Sequence, residues 1–231
     1  MATSGTYAWN LDVIELIEEA YELAGYEART GQDLITARRS LNLLLADWST
    51  RGINLWALEQ LTVDMVSGTT TYSLQTRTLG VIEAVIKKGD VETSIEQIPL
   101  EEYHTIPDKT VTGRPSQFAI LHARTTPTVY MYPVPNDSTL DFVAWTFRYL
   151  QDVTTTYTDE PEVPRRFLPA LRLGLAYELA LKKPSAVREA ELMRVDAERI
   201  TLLQDLYERA LKRAQDMDTE DANLFLRPRR R

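Results

Sequence analysis

Few residues in this chain could do covalent chemistry. His104 and His122 are the only histidines, they fall in different segments, and neither has a partner at metal-ligand spacing. His104 could act as a general base, but a histidine anchoring a loop is the ordinary reading of such a position. Cysteine is absent, which excludes disulfides, thiol nucleophiles and cysteine metal sites and fits assembly in a reducing cytoplasm. No phosphate-binding glycine loop, nucleophile elbow or HExxH helix occurs. Glu15, Glu18, Glu19 and Glu22 fall on one face of a predicted helix, where they could imitate a carboxylate metal site; a solvated acidic face is the simpler reading. A cell-wall hydrolase would need two carboxyl groups converging in a cleft with separated pKa values, and nothing in the spacing supports that. Tyr130, Tyr132 and Trp145 could stack on sugars or bases, although aromatics in strands usually serve packing. The sequence therefore predicts no enzyme, no cofactor and no metal.

The totals point the same way. The chain has 231 residues, 44% of them hydrophobic, enough for a real core. Its net charge of −8 is the wrong sign for electrostatic gripping of nucleic acid, and an acidic surface lets DNA slide past without sticking. One basic patch stands out, Arg227-Pro228-Arg229-Arg230-Arg231. No run of 18 apolar residues occurs, so no membrane span is expected, and Met1 to Thr6 lacks the features of a signal peptide.

Those sparse groups must be positioned by three kinds of element. Asn10 is the expected N-cap of a first helix that carries Ile14, Ile17, Tyr21 and Ala24 on its apolar side and stops at Gly25. A second helix is expected from near Thr30, whose spacing to Asp33 resembles a capping box, to Gly52, with a stripe of Leu34, Ala37, Leu41, Leu44 and Trp48. Two helices joined by a short glycine-containing loop should pack antiparallel.

From Leu61 the period changes to two. Six or seven strands are predicted, mostly joined as hairpins: Leu61 to Met65, Thr70 to Leu74, Val81 to Ile86 (read as fully buried), Thr93 to Ile98, Ser116 to Leu121, Thr128 to Tyr132 and Leu140 to Tyr149. A short helix over Leu100 to Ile106 lies between Pro99 and Pro107. Helix returns after Pro161 and Pro164, with Phe167, Leu168, Leu171, Leu175 and Leu179 on one face, and breaks at Pro184.

A last helix is expected from Ser185 or Ala186 to Met217. Its heptad-like stripe is Ala190, Met193, Ala197, Ile200, Leu203, Tyr207, Ala210, Ala214 and Met217. Some 30 residues make a rod of roughly 45 Å. That stripe suits either the chain's own core or a contact between subunits.

The expected fold class is α+β: an antiparallel helical bundle built from both chain ends (1–58 and 162–218), an inserted antiparallel β domain (59–161) and an extended C-terminal tail (219–231). Leu224, Phe225 and Leu226 beside the arginines give that tail the anchors of a docking peptide.

Four stretches then resemble a known family. They are Ala37-Arg38-Arg39-Ser40-Leu41-Asn42-Leu43-Leu44-Leu45-Ala46-Asp47-Trp48 with Arg51-Gly52-Ile53-Asn54-Leu55-Trp56; Thr112-Gly113-Arg114-Pro115-Ser116-Gln117; Val129-Tyr130-Met131-Tyr132-Pro133-Val134-Pro135; and Val163-Pro164-Arg165-Arg166-Phe167-Leu168-Pro169-Ala170-Leu171 running into Leu175-Ala176-Tyr177. In order and spacing the chain resembles the head-to-tail adaptors, or connectors, of tailed bacteriophages, including the tail tubular protein A type.

The resemblance implies a structural virion protein at the head–tail junction, assembled in the host cytoplasm. It implies a homo-oligomeric ring, usually twelvefold, beneath the portal protein. Such a ring extends the DNA channel used in ejection and docks the tail nozzle or next tail protein. DNA would pass through the lumen without specific binding, and no membrane is involved. By position, Leu224, Phe225, Leu226, Arg227, Arg229, Arg230 and Arg231 match a portal-docking arm. Arg38, Arg39, Arg165 and Arg166 are candidates for contacts between subunits, and Glu15, Glu18, Glu19 and Glu22 for the channel face. Two other readings are a different neck or tail-completion protein, and a β-domain binding module on a helical stalk. The binding module would require Tyr130, Tyr132 and Trp145 to share an open surface.

Overall fold

The computed structural model describes residues 9–26, 31–52, 55–156, 159–182 and 190–217, with only the backbone of Leu55 and of residues 190–196. It is a mixed helix and antiparallel-sheet protein. Its residues divide into two compact units, one drawn from Met1–Leu45 and Gln151–Arg231, the other Ala46–Leu150.

The first unit is helical. Helix α1 spans Val13–Ala24 and buries Val13, Leu16, Ile17, Ala20, Tyr21 and Ala24. Its N-cap is Asp12 rather than Asn10: the Asp12 carboxylate accepts from the Glu15 N–H at 2.7 Å, satisfying one of the orphan donors of the first turn. Asn10 instead donates to the Glu160 carboxylate. Ile14 is only half-buried. Gly25 ends the helix at φ 80°, as expected; Gly25 N–H bonds the Glu22 carbonyl and Tyr26 N–H the Tyr21 carbonyl, a Schellman closure.

Helix α2 spans Gly31–Thr50, and its last turn counts with the second unit. Ala37, Leu41, Leu44 and Trp48 of the predicted stripe are buried, while Leu34 is half-buried. Gly52 follows at φ 68°. The capping pair at Thr30 lies outside the described residues. Ser40, buried in α2, accepts from Lys182 Nζ at 2.6 Å and donates to the Thr36 carbonyl. Asn42 pairs both ways with the Val153 backbone: its amide donates to the carbonyl at 3.1 Å and its oxygen accepts the N–H at 2.8 Å.

A 3-10 turn at Arg165–Phe167 leads into the next long helix, Leu168–Lys182 (α4; the short helix α3, Leu100–Thr105, belongs to the second unit). Helix α5 spans Ala190–Asp216. α4 contacts both α1 and α5. The predicted break at Pro184 and start at Ser185 or Ala186 lie outside the described residues, as do the side chains of Ala190 and Met193. Of the heptad stripe, Leu203, Tyr207, Ala210 and Ala214 are buried and Leu211 joins them, while Ala197 and Met217 are exposed. The seam is therefore shorter than the pattern suggested and is filled by the chain's own α4. It closes over Gly174, where a side-chain carbon would lie 2.9 Å from both Leu44 Cδ2 and Tyr207 Cε2.

The second unit is two four-stranded sheets facing each other. The first has the order β1 (Leu58–Asp64), β10 (Asp141–Arg148), β3 (Thr78–Lys88), β4 (Val91–Ser94), all antiparallel. The second runs β2 (Thr71–Ser73), β8 (Thr128–Tyr132), β7 (Gln117–Leu121), β5 (Glu96–Gln97). Two pairings are parallel, β5 with β7 and β6 (Thr112–Gly113) with β9 (Val134–Pro135), where an antiparallel domain with mostly hairpin connections was expected. Ten strands are described instead of six or seven, because the Thr93–Ile98 segment splits at Ile95 and two-residue strands give no period to read.

Alternation sorts the side chains. Phe118, Ile120, Val129 and Met131 point between the sheets and meet Ala84, Ile86, Phe142 and Ala144; the Phe118 and Phe142 rings meet edge to face at 5.6 Å. On the far side of the second sheet, Ala119, Tyr130 and Tyr132 pack under helix α3 (Leu100–Thr105) with Ile98 and Tyr103. Strand β3 is buried on one face only, with Ile82 and Glu83 exposed, so the fully buried reading of Val81 to Ile86 is corrected. Its apolar run misled because Ile82 lies at a bulge opposite Trp145 and Thr146.

Candidate functional site

The chemistry-bearing residues do not converge. Among the described residues no group of three His, Asp or Glu could hold a metal ion. Glu101 and His104 do stand three apart, but on α3, a six-residue helix. His104 and His122 are both exposed. Tyr103, the buried residue of α3, has its hydroxyl pKa raised, first by burial and then by Tyr130.

The three candidate ligand-stacking aromatics are separated. Tyr130 and Tyr132 are covered by α3, while Trp145 stands 47% exposed on the outer face of the other sheet, between Gln60 and Glu83. They share no open surface, so the condition set for a β-domain binding module is not met. Thr62 and Gln60 alternate with buried Leu61, and their polarity suits a solvated sheet face.

The helical unit carries the charged candidates. Glu15, Glu18 and Glu22 are exposed along α1, opposite its buried face. Glu19 is different: its Oε2 accepts from Arg172 Nη1 at 2.9 Å, tying α1 to α4. The partly exposed pair adds little stability by itself, but it removes Glu19 from the free acidic row. Burial and the nearby Asp33 charge push Tyr21, on the opposite face, up to about 12; its hydroxyl donates to the Asp33 carbonyl at 2.9 Å.

Arg39, Arg165 and Arg166 are exposed and Arg38 is half-buried. Arg166 lies over the Phe167 ring at 5.6 Å. Arg165 shares a pocket with Glu19 and Arg172, a meeting of residues some 150 positions apart. Arg172 escaped the sequence reading; the signal was a single arginine inside the apolar run of α4, where a charge needs a partner. A further basic row, Arg209, Lys212 and Arg213, lies beside the exposed Leu206 on α5. The tail candidates Leu224, Phe225, Leu226, Arg227, Arg229, Arg230 and Arg231 lie outside the described residues.

No described helix is long and apolar enough to cross a membrane. Among curated proteins no relative matches. A family model described as SU10 adaptor protein matches residues 11–231, nearly the whole chain and both of its units. The chain belongs to the SU10 adaptor protein family, and the resemblance to phage head-to-tail adaptors carried by its four sequence stretches is met: it is a structural adaptor protein of a bacteriophage.

Proposed function

We propose that this adaptor forms a ring beneath the portal at the head–tail junction, extends the DNA channel and docks the tail. The observation that carries the reading is the family match over residues 11–231, which spans both units. A ring subunit needs two complementary lateral faces and a lumen that does not hold DNA. Glu15, Glu18 and Glu22 supply an acidic, solvent-facing row for the lumen; Glu19, held by Arg172, contributes less. Arg38, Arg39, Arg165 and Arg166 supply charge for the lateral contacts. The helices of the two chain ends act as one bundle, with the β unit inserted towards the tail, and residues 219–231 reach the portal through Leu224 to Leu226 and the arginines beyond.

The test is the mass of the purified chain, alone and after mixing with an intact portal ring from the same genome. A defined complex of portal and adaptor ring is expected, and deletion of Leu224 to Arg231 should abolish it while leaving the circular dichroism unchanged. No association with an intact portal would move the chain to another neck or tail-completion role. Undiminished binding by the truncated chain would remove the docking arm.

A further inference from the structure

The helical unit has a pocket of about 230 Å³ where α1 approaches the start of α4. Trp9, Leu11, Leu168 and Pro169 form its apolar wall. Its charged rim is Arg165, Arg172 and Glu19. The volume is several times the roughly 30 Å³ that one water occupies in the liquid, so it has room for an apolar side chain. Trp9 is 66% exposed, an unusual state for a tryptophan unless something covers it.

Two buried polar atoms without hydrogen-bond partners lie near this wall, closed off from solvent and so from any bound peptide. Arg172 spends Nη1 on Glu19, but its Nε–H is buried without an acceptor. Asn10 donates to Glu160, but its Oδ1 is buried without a donor, and its chain neighbours Trp9 and Leu11 both line the pocket. The rim charge is also unbalanced. Glu19 answers Arg172, whereas Arg165 is exposed and forms no ion pair among the described residues. The start of α4 adds partial positive charge on the same side.

We propose that this pocket binds an extended peptide segment of a protein partner, one apolar side chain against Trp9, Leu168 and Pro169 and a carboxylate facing Arg165. A small anion would answer the arginine and leave the apolar wall bare. A basic peptide would meet Arg165 with like charge. Tryptophan and arginine side by side are also the residue types that dominate binding energy at protein interfaces. The proposal takes Arg165 away from the lateral contacts given to it above, and the pocket that holds it is complete within one subunit.

The experiment uses the full chain and a fluorescein-labelled, acetylated peptide with a Leu-Phe pair flanked by Asp and Glu, followed by fluorescence anisotropy. Saturable binding is expected, weakened at least tenfold by Trp9→Ala, by Arg165→Glu, and by replacing the acidic residues of the peptide with lysine. Both protein positions are exposed, so unchanged circular dichroism will separate lost binding from lost fold. No saturable binding, equal affinity in both variants, or equal binding of the lysine peptide would overturn the proposal. A chain ending at Met217 that binds the peptide tenfold more tightly than the full chain would overturn the choice of occupant, because the chain's own end would then be filling the pocket. Each result is readable on subunits that form no ring.

Discussion

Gly174 tests whether α5 is committed to its own chain. Within α4 a glycine is about 1 kcal/mol less favourable than alanine, because it loses more backbone freedom on folding. Taken alone, Gly174→Ala should therefore stabilise the helical unit. The surroundings reverse the sign. A Cβ at this position would lie 2.9 Å from Leu44 Cδ2, 2.9 Å from Tyr207 Cε2 and 3.1 Å from Tyr207 Cδ2. Carbon contacts are normally about 3.5–4.0 Å. The Tyr207 ring cannot move aside easily, because Leu203, Ala210, Leu211 and Ala214 are buried along the same seam. Overpacking of this kind costs about 1–3 kcal/mol, so G174A should lose about 1 kcal/mol net. G174V adds two methyl groups and recovers little propensity, so it should lose about 3 kcal/mol. The assay is urea unfolding followed by far-ultraviolet circular dichroism. In a Y207L background the cost of G174A should fall by about 1 kcal/mol, since the clash with the ring is gone. An alanine variant about 1 kcal/mol more stable than the parent would refute the reasoning. α2 and α5 would then stand off from α4, leaving the seam free for a neighbouring subunit.

Two further outcomes follow from hydrogen bonds that clamp irregular segments. Asn42→Leu leaves both polar groups of Val153 without partners and should cost about 2 kcal/mol; an unchanged urea midpoint would mean that water replaces the amide. In the β unit, Lys88 Nζ donates to Asp137 at 2.7 Å, and the Thr139 N–H and hydroxyl donate to its other oxygen, which together hold its pKa down at about 2 against an ordinary 3.8. A lowered folded pKa favours the native state fully above pH 3.8 and loses that contribution as pH falls towards 2. Thermal unfolding should thus show a steeper loss over that window in the parent than in Asp137→Asn, and parallel curves would contradict the role given to this carboxylate.

What could be read without the fold was local. Gly25 and Gly52 end their helices because only a residue without a Cβ enters positive φ easily. Strand Thr128–Tyr132 and helix Leu100–Thr105 were legible to within a residue because prolines bound them on both sides. The four family-like stretches pointed to the adaptor family because each is a run of neighbouring residues. The misses share one cause: they depend on residues far apart in the chain. Asn10 is a sound N-cap by type, yet it is drawn off by Glu160. Ala197 and Met217 fit a heptad, yet the seam on α4 ends before reaching them. Tyr130 and Trp145 read alike as strand aromatics, and only the pairing of their strands into different sheets sends one under α3 and the other to solvent.

The pocket is the extreme case. Trp9, Glu19, Arg165 and Arg172 come from opposite ends of the chain, and no period or spacing connects them. Composition, periodicity and turn chemistry act over a few residues, and they were enough for the elements, the lack of thiols and the family. Which face meets which, which charge is neutralised and which polar atom lacks a partner depend on packing between residues far apart in the chain, which local pattern does not encode.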